Sequence, residues 1–248
     1  MSSKPLNRLY VPEPLQPGHE LRLDDERAHY VARVLRLRVG DRLVLFDGGG
    51  GEFPAAITEV AKRGIVARVG ERREKNVESP LPIALIQGIS RGERMDFVVQ
   101  KATELGVHRI TPLVTEFSVV RLDGDRSDKR RAHWSRIAAS ACEQCGRNVV
   151  PAIDAPKSFS GWLSSGTPSG AARILLHPGA KRTLAGLERI HDRIELLIGP
   201  EGGLSDSEVN QAEGSGFSAC SLGPRILRTE TAALAAIAVL QAHRGDFR

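Results

Sequence analysis

Only three cysteines occur in 248 residues, Cys142, Cys145 and Cys220, and a sparse, odd set does not build a disulfide framework. Cys142 and Cys145 form a CxxC, but no second pair or HxxxH lies nearby to complete a tetrahedral zinc site, so no metal is expected. A redox role would need the pair at a helix start; this pair falls late in a helical pattern, which favours plain packing. No run of about 18 apolar residues is present, and Ala232 to Leu240 is too short to span a bilayer. The opening MSSKPLNRLYVPEP lacks the apolar core of a signal peptide, which predicts a cytoplasmic chain. There is no GK[ST] and no GxGxxG after a strand, which disfavours the usual modes of binding nucleoside triphosphates and dinucleotides.

The bulk composition, 41% hydrophobic and 26% charged, is that of a folding globular chain. Its length allows one large or two modest domains. Lysine plus arginine (35) exceed aspartate plus glutamate (30), for a net charge of +5. Arg22, Arg27, Arg33, Arg36, Arg38 and Arg42 crowd one short stretch. Two readings compete there, a phosphate-binding surface and a merely solvated basic face.

Short apolar or alternating runs at 43–47, 54–60 and 65–69, with four glycines at 48–51 between the first two, predict a small β-barrel. Within DDERAHYVARVLR, Ala28, Val31 and Leu35 mark one helical face. The polar stretch 71–80 has no apolar pattern, which places a domain boundary there and divides the chain into 1–74 and 75–248. Strand and helix then alternate. IALIQG (83–88) precedes a helix with Met95, Val98, Val99 and Ala102 on one face. RITPLV (109–114) precedes another with Trp134, Ile137, Ala138, Ala141 and Cys145 on its stripe, which turns Cys145 toward the core and leaves Cys142 off it. Further strands are expected at 173–177, 194–199 and 217–222, and a loop with a short helix anchored by Trp162 and Leu163 at 151–170. Alternation of this kind predicts an α/β domain with a mainly parallel sheet covered on both faces.

Ligands of open α/β sheets bind beyond the carboxyl ends of strands. In IELLIGPEGGLSDSEV a strand ends at Gly199, and Ser205 with Glu208 forms a capping box for the next helix. The connector between them lets main-chain groups approach a ligand closely, and Glu201 is its only ionisable side chain. Turning the chain is the plainer use of such glycines. In LGPRILRTETA, Thr229, Glu230 and Thr231 suit a helix start, whereas Arg225 and Arg228 oppose its positive end and call for an anionic or electron-rich partner. The following helix, 232–239, is apolar on every face and must be buried in the domain or in a subunit interface. A third segment, GISRGERMDFVVQKATELGV, carries Arg91, Arg94, Lys101 and Glu104; the last two are spaced to pair on a helix surface.

Together QKATELGV (100–107), LIGPEGGLSDSE (197–208) and LGPRILRTETA (222–232) resemble the signature blocks of the RsmE family, the 16S rRNA (uracil-N3)-methyltransferases of the SPOUT class. The likeness extends to HYVARVLRLRVGD and RIAASACEQCGR, and so over nearly the whole chain; the cysteines flanking the EQ of the latter depart from the family's common pattern. The resemblance implies a PUA-like β-barrel that binds RNA, followed by a SPOUT-type α/β domain with a deep trefoil knot, working as a homodimer. It implies S-adenosyl-L-methionine as cofactor, held by three loops: Leu176 and His177; Ile198, Gly199, Pro200, Glu201, Gly202 and Gly203; and Leu222, Gly223, Ile226 and Leu227. It implies methylation of N3 of a uridine in the decoding region, with 16S rRNA or the small ribosomal subunit as partner.

Arg228 is then expected to stabilise the uracil anion, with Glu230 or Glu201 accepting the N3 proton. RNA contacts are expected from Arg8, Arg22, Arg33 and Arg36, and from Arg91, Arg94 and Lys101. Alternatives are a SPOUT enzyme acting on another rRNA or tRNA site, and an RNA-binding ribosome assembly factor without chemistry.

Overall fold

The structure is a computed structural model that describes residues 6–61, 64–118, 124–165, 170–187 and 192–247. Packing divides the chain into two compact units, one holding residues up to Glu78 together with Cys142–Val150, the other Ser79–Ala141 and Pro151 onward.

In the first unit the strands are β1 (Arg8–Tyr10), β2 (Glu20–Arg22), β3 (Arg42–Phe46), β4 (Gly51–Ala61), β5 (Gly64–Val69) and β6 (Arg73–Glu74). They pair in the order β1-β3-β4-β5-β2, with β6 on β4; β1 and β3 run parallel and the other pairs antiparallel. Gly48 and Gly50 have φ of +85° and +87°, a region costly for other residues, and so turn the chain between β3 and β4. Leu9, Leu43, Leu45, Phe53, Ile57 and Ile65 fill the core. Helix α1 (Asp25–His29) starts on Asp24, whose carboxylate accepts from the Arg27 N–H at 2.8 Å, and passes into one π-helical stretch, Tyr30–Val34. Ala28 and Val31 face inward as the sequence pattern requires, while Arg33, Arg36 and Arg38 stay exposed.

The segment Cys142–Val150 joins this unit through polar bonds. Asn148 accepts from Arg8 at 2.5 Å and donates to the Lys75 carbonyl at 2.8 Å. Glu143 accepts from the Tyr10 N–H at 2.9 Å, and Arg147 pairs with Glu78 at 2.5 Å. The unit boundaries therefore differ from a single cut after residue 74. The same packing corrects the cysteine assignment. Cys142 is fully buried, with its thiol toward the Val149 carbonyl at 3.6 Å, whereas Cys145 is only half-buried.

The second unit contains β7 (Ile83–Gly88), α2 (Glu93–Glu104), β8 (Arg109–Val114), α3 (Gly124–Cys145, whose last residues belong with the first unit), β9 (Ala152–Ile153), β10 (Lys157–Ser158), α4 (Phe159–Ser164), β11 (Ala172–Leu176), β12 (Ile194–Ile198), α5 (Asp206–Gly214), β13 (Ser218–Cys220) and α6 (Thr229–Arg244). The sheet order is β10-β8-β7-β12-β11-β13, with β9 on β8, and every pair is parallel. Central strands covered on both faces read as continuous apolar runs, and every residue of β12 is buried. Helix α2 buries Met95, Val98, Val99 and Ala102. Helix α6 buries Ala232, Ala233, Ala236, Ile237 and Leu240, but Leu234, Ala235, Ala238 and Val239 remain half-exposed, so one chain does not enclose it. Among the described residues no helix is long and apolar enough to cross a membrane.

Candidate active site

A cleft of about 650 Å³ opens in the second unit beyond the carboxyl ends of β11 and β12. That volume suits a nucleoside-sized ligand. Three loops line it. The first, after β11, brings Leu176 and His177; the His177 N–H donates to the Cys220 carbonyl at 2.9 Å, which fixes the loop against the end of β13. The second runs from Ile198 through Gly199, Pro200, Glu201, Gly202 and Gly203. The third, after β13, contributes Leu222, Gly223, Ile226 and Leu227, and leads through Arg228 to Thr229 and Glu230 at the start of α6. Every residue assigned to the cofactor from sequence thus lies on this cleft.

The second loop keeps its shape for steric reasons. Gly203 has φ of +75° and donates to the Pro200 carbonyl at 2.9 Å, closing a tight turn. Gly88, at the end of β7, would place an added Cβ only 2.4 Å from Pro200 Cδ, so the loop passes where no side chain fits. At the far end Ser205 accepts from the Glu208 N–H at 3.3 Å and Glu208 accepts from the Ser205 N–H at 3.0 Å, the capping box read from sequence.

The two acidic candidates differ sharply. Glu201 accepts from Arg94 Nη1 at 2.7 Å and from the Arg91 N–H at 3.0 Å. Burial works against its charge, but the Arg94 bond, its own and the Arg91 main-chain N–H groups, and the Arg94 charge outweigh it and hold its carboxyl below the ordinary range. Glu230 lies in the first turn of α6, and its Oε2 is buried without a hydrogen-bond partner among the described residues. Arg228 is the N-cap residue of α6, exposed and free of any capping bond from its side chain. Arg225 also lines the cleft.

The expected RNA contacts are dispersed. Arg22, Arg33, Arg36 and Arg91 are exposed, and Arg36 has φ of +57°, rare for a residue with a side chain. Arg94 is tied to Glu201, and Lys101 pairs with Glu104 at 2.7 Å, the plain helix-surface pair allowed by their spacing. Arg8 is enclosed. Its guanidinium binds Glu52 at 2.6 Å and Asn148, and stands 4.9 Å from the Phe46 ring centroid, so it holds the first unit together and is not on offer to RNA. Sequence reading also missed Gln87, a fully buried amide at the end of β7 that reaches Thr229 and Gly199.

Residues 77–241 match the RNA methyltransferase domain family, and residues 23–70 the RNA methyltransferase PUA domain family. A ribosomal RNA small subunit methyltransferase E of Buchnera aphidicola is 38% identical over all of this chain and 98% of its own. The protein of that name in Bacillus subtilis is 31% identical over 87% of each. This chain belongs to the ribosomal RNA small subunit methyltransferase E family. A member from Neisseria gonorrhoeae, solved bound to S-adenosyl methionine, superposes with a TM-score of 0.90 at 40% identity, covering 98% of this chain and 100% of its own. A Legionella pneumophila methyltransferase solved with the same cofactor gives 0.93 at 43% identity, with the same coverage. The fold is accordingly the α/β SPOUT type with a PUA-like domain, and the cleft belongs to the RNA methyltransferase domain.

Proposed function

We propose that this protein transfers a methyl group from S-adenosylmethionine to N3 of a uridine in the decoding region of 16S rRNA. The observation that carries the chemical part is the buried Oε2 of Glu230, without a hydrogen-bond partner among the described residues, two positions along the chain from the exposed Arg228 on the same cleft. The cleft fits the cofactor. Leu176, Ile198, Leu222 and Leu227 offer apolar walls to a flat base, and the glycines of the second loop leave amides and carbonyls in reach of polar atoms. When bound, the cofactor supplies an electrophilic methyl group on a sulfonium.

The chain's own residues then have distinct tasks. N3 of uracil carries a weakly acidic proton on its pairing edge, so the base must be unpaired or turned out to reach the cleft. Glu230 accepts that proton, since its Oε2 has no hydrogen-bond partner among the described residues. Arg228 faces the negative charge that develops on the uracil oxygens. Glu201, already bound to Arg94, is a poor acceptor and braces the loop that holds the cofactor. Exposed arginines of the PUA-like unit, Arg22, Arg33 and Arg36 among them, grip phosphates of the RNA, and Arg91 of the second unit is a further phosphate contact. The half-exposed apolar stripe of α6 is covered by a second copy in a homodimer, and the second unit carries the family's trefoil knot. The protein works in the cytoplasm, where its rRNA is made.

Nucleoside mass spectrometry of rRNA from a deletion strain tests the reading. Loss of 3-methyluridine, restored by the wild-type protein, is the expected result. Loss of a ribose-methylated nucleoside instead would overturn it. Assays on naked 16S rRNA and on assembled small subunits then identify the substrate form.

A further inference from the structure

Gln87 is fully buried at the end of β7, a strand whose neighbouring positions are Ile83, Leu85 and Ile86. A primary amide in such a place demands partners. Its Nε2 donates to Thr229 Oγ1 at 2.9 Å and to the Gly88 carbonyl at 3.1 Å, and approaches the Gly199 carbonyl at 3.4 Å. Thr229 Oγ1, itself buried, donates onward to the Gly199 carbonyl at 2.7 Å. The hydroxyl therefore accepts from one side and donates to the other, closing a ring of polar bonds. Gln87 Oε1 stays without a partner among the described residues, a cost that an apolar side chain at this position would avoid.

What the ring joins gives that cost a purpose. Gly199 opens the glycine loop, and Thr229 stands between Arg228 and Glu230 at the start of α6. We propose that Gln87 is a positioning residue, clamping the cofactor loop to the helix start that carries Arg228 and Glu230 so that the two halves of the cleft keep one spacing. The proposal rests on the cofactor reading above but not on the identity of the methylated base.

The test is calorimetry with S-adenosylmethionine on the full-length protein without RNA, together with single-turnover methylation at saturating cofactor and a thermal melt of each variant. Gln87→Leu and Thr229→Val should each weaken cofactor binding by about tenfold. The double variant should be no worse than the poorer single one, because both remove the same bridge. Thr229→Ser, which restores the hydroxyl, should recover most of the affinity lost in Thr229→Val. A general loss of packing would instead lower the melting temperature in all of them and leave the affinity of the folded fraction unchanged; that result overturns the proposal, as do losses that multiply in the double variant. If Gln87→Leu does not fold, the Thr229→Val and Thr229→Ser pair reads the same bridge from its other end. Because binding is measured without RNA, failure of the wild-type protein to make 3-methyluridine would refute the base assignment alone.

Discussion

Arg94 Nη1 lies 2.7 Å from Glu201 Oε1, and this ion pair ranks two carboxylates that look alike in sequence. Glu201 is committed to a partner, whereas Glu230 holds a buried oxygen with none among the described residues. Glu230→Gln should therefore lower the single-turnover rate by about a hundredfold or more with little change in cofactor affinity. Glu201→Gln breaks a partly exposed pair and should cost within about fivefold, mainly in cofactor affinity. Rapid-quench kinetics with calorimetry decides between them; a larger rate loss in Glu201→Gln would reverse the assignment.

The pair Arg8 and Glu52, 2.6 Å apart and both nearly enclosed, assigns Arg8 a structural duty. Removing Arg8 leaves the enclosed Glu52 with only Lys75, 3.4 Å away, and leaves Asn148 without its donor, so Arg8→Ala should destabilise the protein by about 2 kcal/mol. Chemical denaturation measures this. An Arg8→Ala protein of normal stability but weakened RNA affinity would return Arg8 to the RNA surface.

Exposed Arg33 and Arg36 should behave in the opposite way. Each change to alanine is expected to leave the melting temperature in place and to reduce the slope of log affinity against log salt by about one, as loss of a phosphate contact requires. Fluorescence anisotropy with an rRNA fragment over a salt series is the measurement. An unchanged slope in both variants would restore the plain reading, a solvated basic face.

Burial pushes the Cys142 thiol up from 9.0 to about 12, against the opposing charge of Arg147. In the unfolded chain the thiol ionises near its ordinary value, while in the folded protein it stays protonated through that range. The contribution is thus fully present below about pH 9 and is lost as pH rises toward 12. Urea midpoints of the wild type should fall across this window more steeply than those of Cys142→Ala. At neutral pH a thiol reagent, mapped by mass spectrometry, should modify Cys142 only after denaturation.

Much of this architecture is legible in the sequence. Glycine spacing and a capping box located the loop from Gly199 to Gly203, because both signals are local. The alternation of strand and helix fixed the layered sheet, since burial on both faces leaves continuous apolar runs such as 194–198. Partnerships across the chain were not legible. Arg8 looks like its exposed neighbours because Glu52 and Asn148 are distant in sequence, and Gln87 is hidden at the end of an apolar strand because Gly199 and Thr229, which it reaches, are 112 and 142 residues away. The cysteine stripe went wrong for a related reason: a periodicity argument assumes one neighbour along a helix, and the end of α3 packs in a different unit from its beginning.

The Glu208 carboxylate joins stretches of chain that are far apart in sequence. One oxygen accepts from the Ser205 N–H at the end of the glycine loop, and the other from the Glu116 N–H at 2.9 Å, just beyond β8. Two amides that share one acceptor group open together when it swings away. In hydrogen–deuterium exchange Ser205 and Glu116 should form one kinetic unit, and filling the cleft should slow both, carrying a record of cofactor occupancy to a strand end that does not line the cleft.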